Sequence, residues 1–156
     1  MNWLITDKGD PDCRALADRH YSRQTPGAIS FTRNGQNLVF VTADKKAAWV
    51  TFRPTPGKAI RADKLDAWEC ALFRNEGPVR SSVLIREAVL LSCALWGPIP
   101  PDGFVTFIKQ DAVQTDLKGY CYRRAGWRHW GYASDGKLRL RAPRPDTWPD
   151  WSSWEW

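Results

Sequence analysis

No apolar run in this 156-residue chain approaches the roughly 20 residues needed to span a bilayer, which argues against an integral membrane protein. The opening Met1-Asn2-Trp3-Leu4-Ile5-Thr6-Asp7 lacks a basic segment followed by a long apolar stretch. No signal peptide is visible there, and a cytoplasmic location is the expectation. There is no C-x-x-C. Cys13, Cys70, Cys93 and Cys121 are widely spaced, which is neither a zinc pattern nor a disulfide framework. Cys13 and Cys93 fall on apolar helical faces, so buried reduced thiols are expected. No internal repeat is present. With 43% hydrophobic and 26% charged residues, the chain is neither a disordered polymer nor a collagen-like repeat, and its length suits about one domain.

Charge and tryptophan are what the chain has in plenty. Lys and Arg number 23 against 17 Asp and Glu, a net charge of +6. The excess is uneven, because residues 1–142 carry +8 and the Pro/Trp-rich tail, residues 143–156, carries −2. Arginine outnumbers lysine 15 to 8, and its planar fork suits phosphates and flat rings. Ten tryptophans exceed what one small core needs, so an acidic partner such as nucleic acid or a phosphorylated cofactor is favoured. A solvated basic surface reads about equally well on composition alone. In the tail, Trp148, Trp151 and Trp154 recur every third residue, the period of a polyproline II helix, and docking over the domain's own groove is expected.

The periodicity predicts a strand over 2–6 and then a helix capped by Asp10 with Pro11 at its first position. Cys13, Leu16, Ala17 and His20 lie on one face of that helix, which should stop before Thr25-Pro26-Gly27. Strands over 28–33 and 37–42 are expected to form a hairpin at Asn34-Gly35. A strand over 47–53 follows, then one over 66–74 that puts Glu69 on the face of Ala67, Ala71 and Phe73. The clearest helix spans 81–96, with Ser81 or Ser82 as its cap, an apolar face of Val83, Leu84, Ala88, Leu91 and Leu95, and Gly97-Pro98 as its stop. A strand over 104–109, a short helix over 112–118 and two strands meeting at Asp135-Gly136 complete a mixed α/β or α+β arrangement around one sheet.

Two segments suggest chemistry. Arg80, Ser81 and Ser82 open the best helix, where free N–H groups and the dipole favour an anion, although an ordinary strand–helix loop reads as well. Farther on, Tyr122-Arg123-Arg124-Ala125-Gly126-Trp127 stands between a short helix and a strand. That Tyr-x-x-x-Gly-aromatic step, downstream of strand, loop, helix and strand, resembles the GNAT acyltransferases. The resemblance implies a mostly antiparallel sheet flanked by helices, acyl-CoA in a V-shaped split between two central strands, and Tyr122 as the acid that protonates the departing thiolate. The usual Gln/Arg-x-x-Gly-x-Gly/Ala phosphate loop is replaced here by Asn75-Glu76-Gly77-Pro78-Val79-Arg80-Ser81-Ser82.

A narrower resemblance starts at Asp18-Arg19-His20-Tyr21-Ser22-Arg23 and takes in Trp68-Glu69-Cys70, Phe73-Arg74-Asn75-Glu76-Gly77, Ser81-Ser82 and Trp96-Gly97. Together these are similar to the bacteriophage Mom-like DNA modification proteins, a divergent GNAT-like branch whose members modify adenine in DNA so that restriction enzymes no longer cut. The match covers roughly 15–133 and leaves the Trp-rich tail unmatched. It implies transferase activity on adenine N6 in the host cytoplasm, functional roles for His20, Tyr21 and Tyr122, and a bound iron for which His20 and Tyr21 are the ligands to consider.

The residue types suit those roles. Histidine exchanges protons near neutral pH, and tyrosine can donate a proton or ligate ferric iron. Glu69 on a half-buried face needs a partner or a purpose, and a salt bridge to an arginine would satisfy it. Asp111 follows the 104–109 strand, where open sheets place site residues, and it also suits a helix cap. Between Lys118 and Arg141 seven basic residues are interleaved with six aromatic or histidine rings. Arg123, Arg124, Arg128, Trp130, Lys137 and Arg139 are therefore expected to hold DNA and stack a displaced base. The expected partners are DNA and a small phosphorylated donor, acyl-CoA or a relative held by Arg80, Ser81 and Ser82, with a homodimer left open. An acyl-CoA-dependent N-acetyltransferase acting on aminoacyl-tRNA and a non-enzymatic nucleic-acid-binding module are the alternatives.

Overall fold

Asp10 starts the first helix as its sequence dictates: its carboxylate accepts from the backbone N–H of Asp12 and Cys13, with Pro11 at the first helical position. The computed structural model describes residues 1–20, 31–109 and 119–145. Within them the order is β1 (Trp3–Thr6), α1 (Pro11–Asp18), β2 (Gln36–Thr42), β3 (Ala47–Arg53), β4 (Trp68–Asn75), α2 (Ser81–Trp96), β5 (Phe104–Ile108), α3 (Tyr120–Arg124), β6 (Arg128–Tyr132) and β7 (Leu138–Arg141). The strands form one seven-stranded sheet in the order β1-β2-β3-β4-β5-β7-β6. Every described pairing is antiparallel except that of β4 with β5. The fold is mixed α+β.

Apolar residues cover both faces of the middle of the sheet. On one, Trp49, Phe104, Trp127 and Leu140 pack with Leu84, Ile85, Ala88 and Val89 of α2. On the other, Val39, Val41, Val50 and Leu72 meet Cys13, Leu16 and Ala17 of α1. That is why Leu38-Val39-Phe40-Val41 and Ala47–Phe52 are near-continuous apolar runs. Trp3, Trp49, Trp68 and Trp127 are buried, and Trp96 meets Trp68 edge-to-face at 5.5 Å. Five tryptophans thus serve the core, and Trp130 alone among the described ones stands apart from it. The tryptophan excess is mostly structural in the part described.

Several expectations are corrected. Residues 31–35 lie in no strand, so Asn34-Gly35 does not join two strands there. From Val39 to Val41 both edges of β2 are already taken, by β1 and by β3, leaving no room for a further partner. Asn37 instead staples the segment, pairing with Thr32 Oγ1 at 2.6 Å and donating to the Arg33 carbonyl at 3.0 Å. α2 has Arg80 at its N-cap with no side-chain cap, so neither serine fills that role. Leu95 is exposed and Cys93 only half-buried, because the face that packs is Leu84, Ile85, Ala88, Val89 and Ser92. All four cysteines are free thiols. Residues 28–30 of the strand expected over 28–33, the Thr25-Pro26-Gly27 turn, the 112–118 helix and residues 146–156 of the tail fall outside the described residues.

Candidate active site at the split between β4 and β5

The two central strands part almost as soon as they pair. Trp68 faces Phe104 and Glu69 faces Val105, and there the parallel ladder ends. One residue later the Thr106 hydroxyl donates to the Cys70 carbonyl at 3.0 Å, so a side chain satisfies the acceptor that the ladder leaves. The same stretch of β4 is bulged against β3. Val50 faces Leu72 and Thr51 faces Cys70, which leaves Ala71 as the extra residue. The bulge switches side-chain parity. Phe73 joins Trp68 and Cys70 in the α2-side core, so it does not share the face of Glu69 as simple alternation predicts.

Tyr122 reaches this split from the short helix α3. Its ring packs edge-on against Trp127 at 5.1 Å and Phe73 at 6.2 Å, and its hydroxyl lies 3.3 Å from Cys70 Sγ. Burial pushes the Cys70 thiol far above its usual pKa, so it stays protonated beside that hydroxyl. The Tyr-x-x-x-Gly-aromatic step has a local structural meaning too. Gly126 takes φ 93°, its N–H donates to the Arg123 carbonyl, and the Trp127 N–H donates to the Tyr122 carbonyl at 3.0 Å. That is a Schellman stop, completed by the Tyr122–Trp127 ring contact. At the other end of α3, Gly119 holds φ 72°, and a Cβ there would come within 2.5 Å of Leu140 Cδ1. The helix that presents Tyr122 is clamped at both ends.

A cleft of about 1160 Å³ opens over the split, lined among others by His20, Glu69, Cys70, Phe107 and Tyr122. Its lining includes six Lys and Arg side chains, Arg33, Lys58, Arg61, Lys109, Lys137 and Arg139, against Asp63, Glu69 and Asp135. Glu69 is ion-paired on both oxygens, to Arg61 Nη1 and to Arg33 Nη2, each at 2.8 Å. Arg61 is itself buried and makes a second, two-point contact with Asp63. The carboxylate at the cleft floor is thus an acceptor already held in place.

His20 stands two residues past the end of α1, half-buried at the cleft wall. Burial and the neighbouring Arg74 guanidinium hold its pKa down at about 4, against a weaker opposing pull from a backbone hydrogen bond at Phe73. It is therefore neutral at pH 7, able to accept a proton weakly but not to act as an acid there. Arg74 is pinned by Glu76 and by the Arg19 carbonyl at 2.9 Å each. Hydrogen bonds from Arg19 and then Arg74 hold the Glu76 carboxyl down at about 2.

Of the residues singled out in the sequence, His20, Glu69, Tyr122, Lys137 and Arg139 line this one cleft. Tyr21, Asp111 and Lys118 fall outside the described residues. Arg80, Ser81 and Ser82 lie outside the cleft lining, at the start of α2, where Asn75 Nδ2 donates to Ser81 Oγ at 3.0 Å. Arg123, Arg124 and Arg128 are not among the lining residues; Arg124 and Arg128 are exposed. Trp130 is not an open stacking platform, since the guanidinium groups of Arg139 and Arg141 lie 4.4 and 4.2 Å from its ring centre. Among the described residues no group of three or more His, Cys, Asp and Glu is placed to hold a metal. No described helix is long and apolar enough to cross a membrane.

Sequence reasoning missed Thr106, Arg33 and Arg61 as parts of the site, and it quoted Cys70 only inside the Trp68-Glu69-Cys70 motif, without a role. Cys70 and Thr106 read as ordinary strand positions, and Arg61 lies in a Pro/Gly-containing loop without periodicity. No local signal marked them. Comparison with protein-family models, with curated proteins and with solved structures returned no match.

Proposed function

We propose that this protein modifies the N6 amino group of adenine in DNA, by group transfer from a small phosphorylated donor such as acyl-CoA, on an acyltransferase-like scaffold. One observation carries the reading. The only described parallel pair, β4 and β5, separates after Glu69 and Val105, and the Tyr122 hydroxyl lies 3.3 Å from the Sγ of Cys70, the next residue of β4. A split between two central strands with a tyrosine in it is what the GNAT resemblance implies. The cleft is larger than the roughly 300–1,000 Å³ of ordinary small-molecule sites, which supports room for a base together with a donor. Its excess of Lys and Arg favours an anionic substrate.

Within this reading the Tyr122 hydroxyl hands a proton to the leaving group, and the neutral Cys70 thiol orients it. His20 accepts a proton or a hydrogen bond from the attacking amine. Glu69, fixed by Arg33 and Arg61, accepts from the substrate base. The donor's phosphates are assigned to Arg80, Ser81 and Ser82, because the start of α2 carries no side-chain cap that would compete. A bound donor would supply the transferred group. Tyr21 and an iron are implied by the Mom-like resemblance alone, and Asp111 by its place after the 104–109 strand; no role is given to a metal.

The test is mass spectrometry of nucleosides from plasmid DNA co-expressed with the protein. A modified deoxyadenosine is expected. Unmodified adenine, with acyl transfer to another amine in vitro, would replace the reading with a general acyltransferase. Salt-sensitive DNA binding with no chemistry would replace it with a binding module. Calorimetry adds the donor arm: Arg80→Glu should abolish heat of CoA or nucleotide binding, and no heat with the wild type would remove that assignment.

A further inference from the structure

Arg139 and Arg141 are two residues apart on β7 and so project from one face of the sheet. Both guanidinium groups rest on the Trp130 ring of β6. Neither side chain is loose. Arg139 Nε donates to the Trp130 carbonyl at 2.7 Å, and a Cβ at Gly131 would come within 3.1 Å of its Nη2. The Arg141 stem packs on Gly103, where a Cβ would approach its Cδ to 2.7 Å. Glycine at position 103, with φ 96°, leaves space that the arginine fills.

Among the described residues no carboxylate lies within ion-pair distance of Arg128, Arg139 or Arg141. Asp63 is close enough to feel Arg139, but both its oxygens are taken by Arg61. Lys137, by contrast, is paired with Asp135 at 3.3 Å. Arg128 stands directly opposite Arg141 in the β6–β7 ladder. Like charges at facing positions repel, and an anion bound between them relieves that repulsion. An indole that holds two guanidinium forks in fixed positions is preorganised for phosphate oxygens, which Arg binds two at a time.

We propose that Trp130, Arg139 and Arg141 form a phosphate clamp for the DNA strand next to the nucleotide held in the cleft. Arg139 lines that cleft and belongs to both, so the clamped phosphate adjoins the base being modified. An enzyme that draws a base out of a duplex must hold the backbone beside it, and this clamp does so. Trp130 thereby acts as a positioning residue for two arginines and not as a base-stacking ring. The inference rests on the DNA reading above.

The experiment is fluorescence anisotropy of a short duplex oligonucleotide over a salt series, with circular dichroism to establish folding. Arg141→Ala should weaken binding about tenfold at low salt, the loss of a charge-assisted contact. It should also make the log–log salt slope shallower by about 0.9 for each phosphate released. Arg141→Lys keeps the charge and loses the fork, and should lose most of the same affinity. Trp130→Leu keeps every charge and should also weaken binding, while Trp130→Phe retains most of it. Wild-type affinity in Arg141→Lys, beside a loss in Arg141→Ala, would reduce the site to unorganised charge and overturn the clamp. Wild-type behaviour in all four variants would overturn it outright. The expected pattern without modified adenine in the plasmid assay would keep the clamp and remove the modification chemistry. Absence of salt-dependent binding by the wild type would remove both.

Discussion

The Thr106 hydroxyl donates to the Cys70 carbonyl across 3.0 Å at the point where β4 and β5 stop pairing. One side chain thus closes the ladder that the backbone abandons, next to the cysteine whose thiol lies 3.3 Å from the Tyr122 hydroxyl. The bulge at Ala71 puts Phe73 on the face where Tyr122 packs, and the clamped ends of α3 hold that tyrosine beside Cys70.

Replacing Thr106 with Val removes that donor and keeps the shape. The buried Cys70 carbonyl then loses its partner, and stability should fall by about 1 kcal/mol. Urea unfolding should show a lower midpoint at unchanged slope. An unchanged midpoint would mean that water or another group satisfies the carbonyl equally well.

Tyr122→Phe separates chemistry from packing. The ring contacts with Trp127 and Phe73 survive, and the hydroxyl contact with Cys70 is lost. Stability should drop by roughly 0.5–1.5 kcal/mol while the variant folds and binds DNA. Modified adenine per folded protein should vanish. Retained modification would leave Tyr122 a core residue only.

His20 gives a pH signature with a definite sign. Its folded pKa is held near 4 against 6.5 in the unfolded chain, so between these values the unfolded state binds more protons. Stability contributed by keeping His20 neutral is complete above pH 6.5 and lost as the pH falls towards 4. For a half-buried ring the loss should amount to about 2 kcal/mol. His20→Gln should flatten that part of the profile when urea midpoints at pH 5 and pH 7.5 are compared. Parallel profiles for wild type and variant would contradict the assignment.

Glu69→Gln tests the cleft floor. Two arginines lose their shared carboxylate, and Arg61 is buried with only Asp63 left as an ion-pair partner among the described residues. A loss of roughly 2 kcal/mol is expected, well above that of an exposed ion pair. Thermal unfolding of Glu69→Gln beside Arg33→Gln should show the larger drop in the former, because Arg33 is more than half exposed. Equal shifts would indicate that burial of Arg61 is not what sets the cost.

Local elements with short-range signals are legible in the chain alone. Asp10-Pro11 opens α1, Gly97 ends α2, and β3 spans 47–53, because caps, turns and alternation act within a few residues. Tyr122-x-x-x-Gly126-Trp127 belongs here as well, since its spacing is that of a helix stop. Tertiary structure alone decided the rest. The bulge at Ala71 reversed the face of Phe73, and β1 took the edge of β2 from Val39 to Thr42 that the Asn34-Gly35 hairpin would have used. His20, legible as a residue able to switch at neutral pH, became a neutral ring because burial and Arg74 disfavour its charge. Glu69 acquired Arg33 and Arg61, and Trp130 acquired Arg139 and Arg141, through pairings and long side chains that no local periodicity encodes. Which charges meet, and which strands part, depends on contacts between segments distant in the chain, and those exist only once the sheet has assembled.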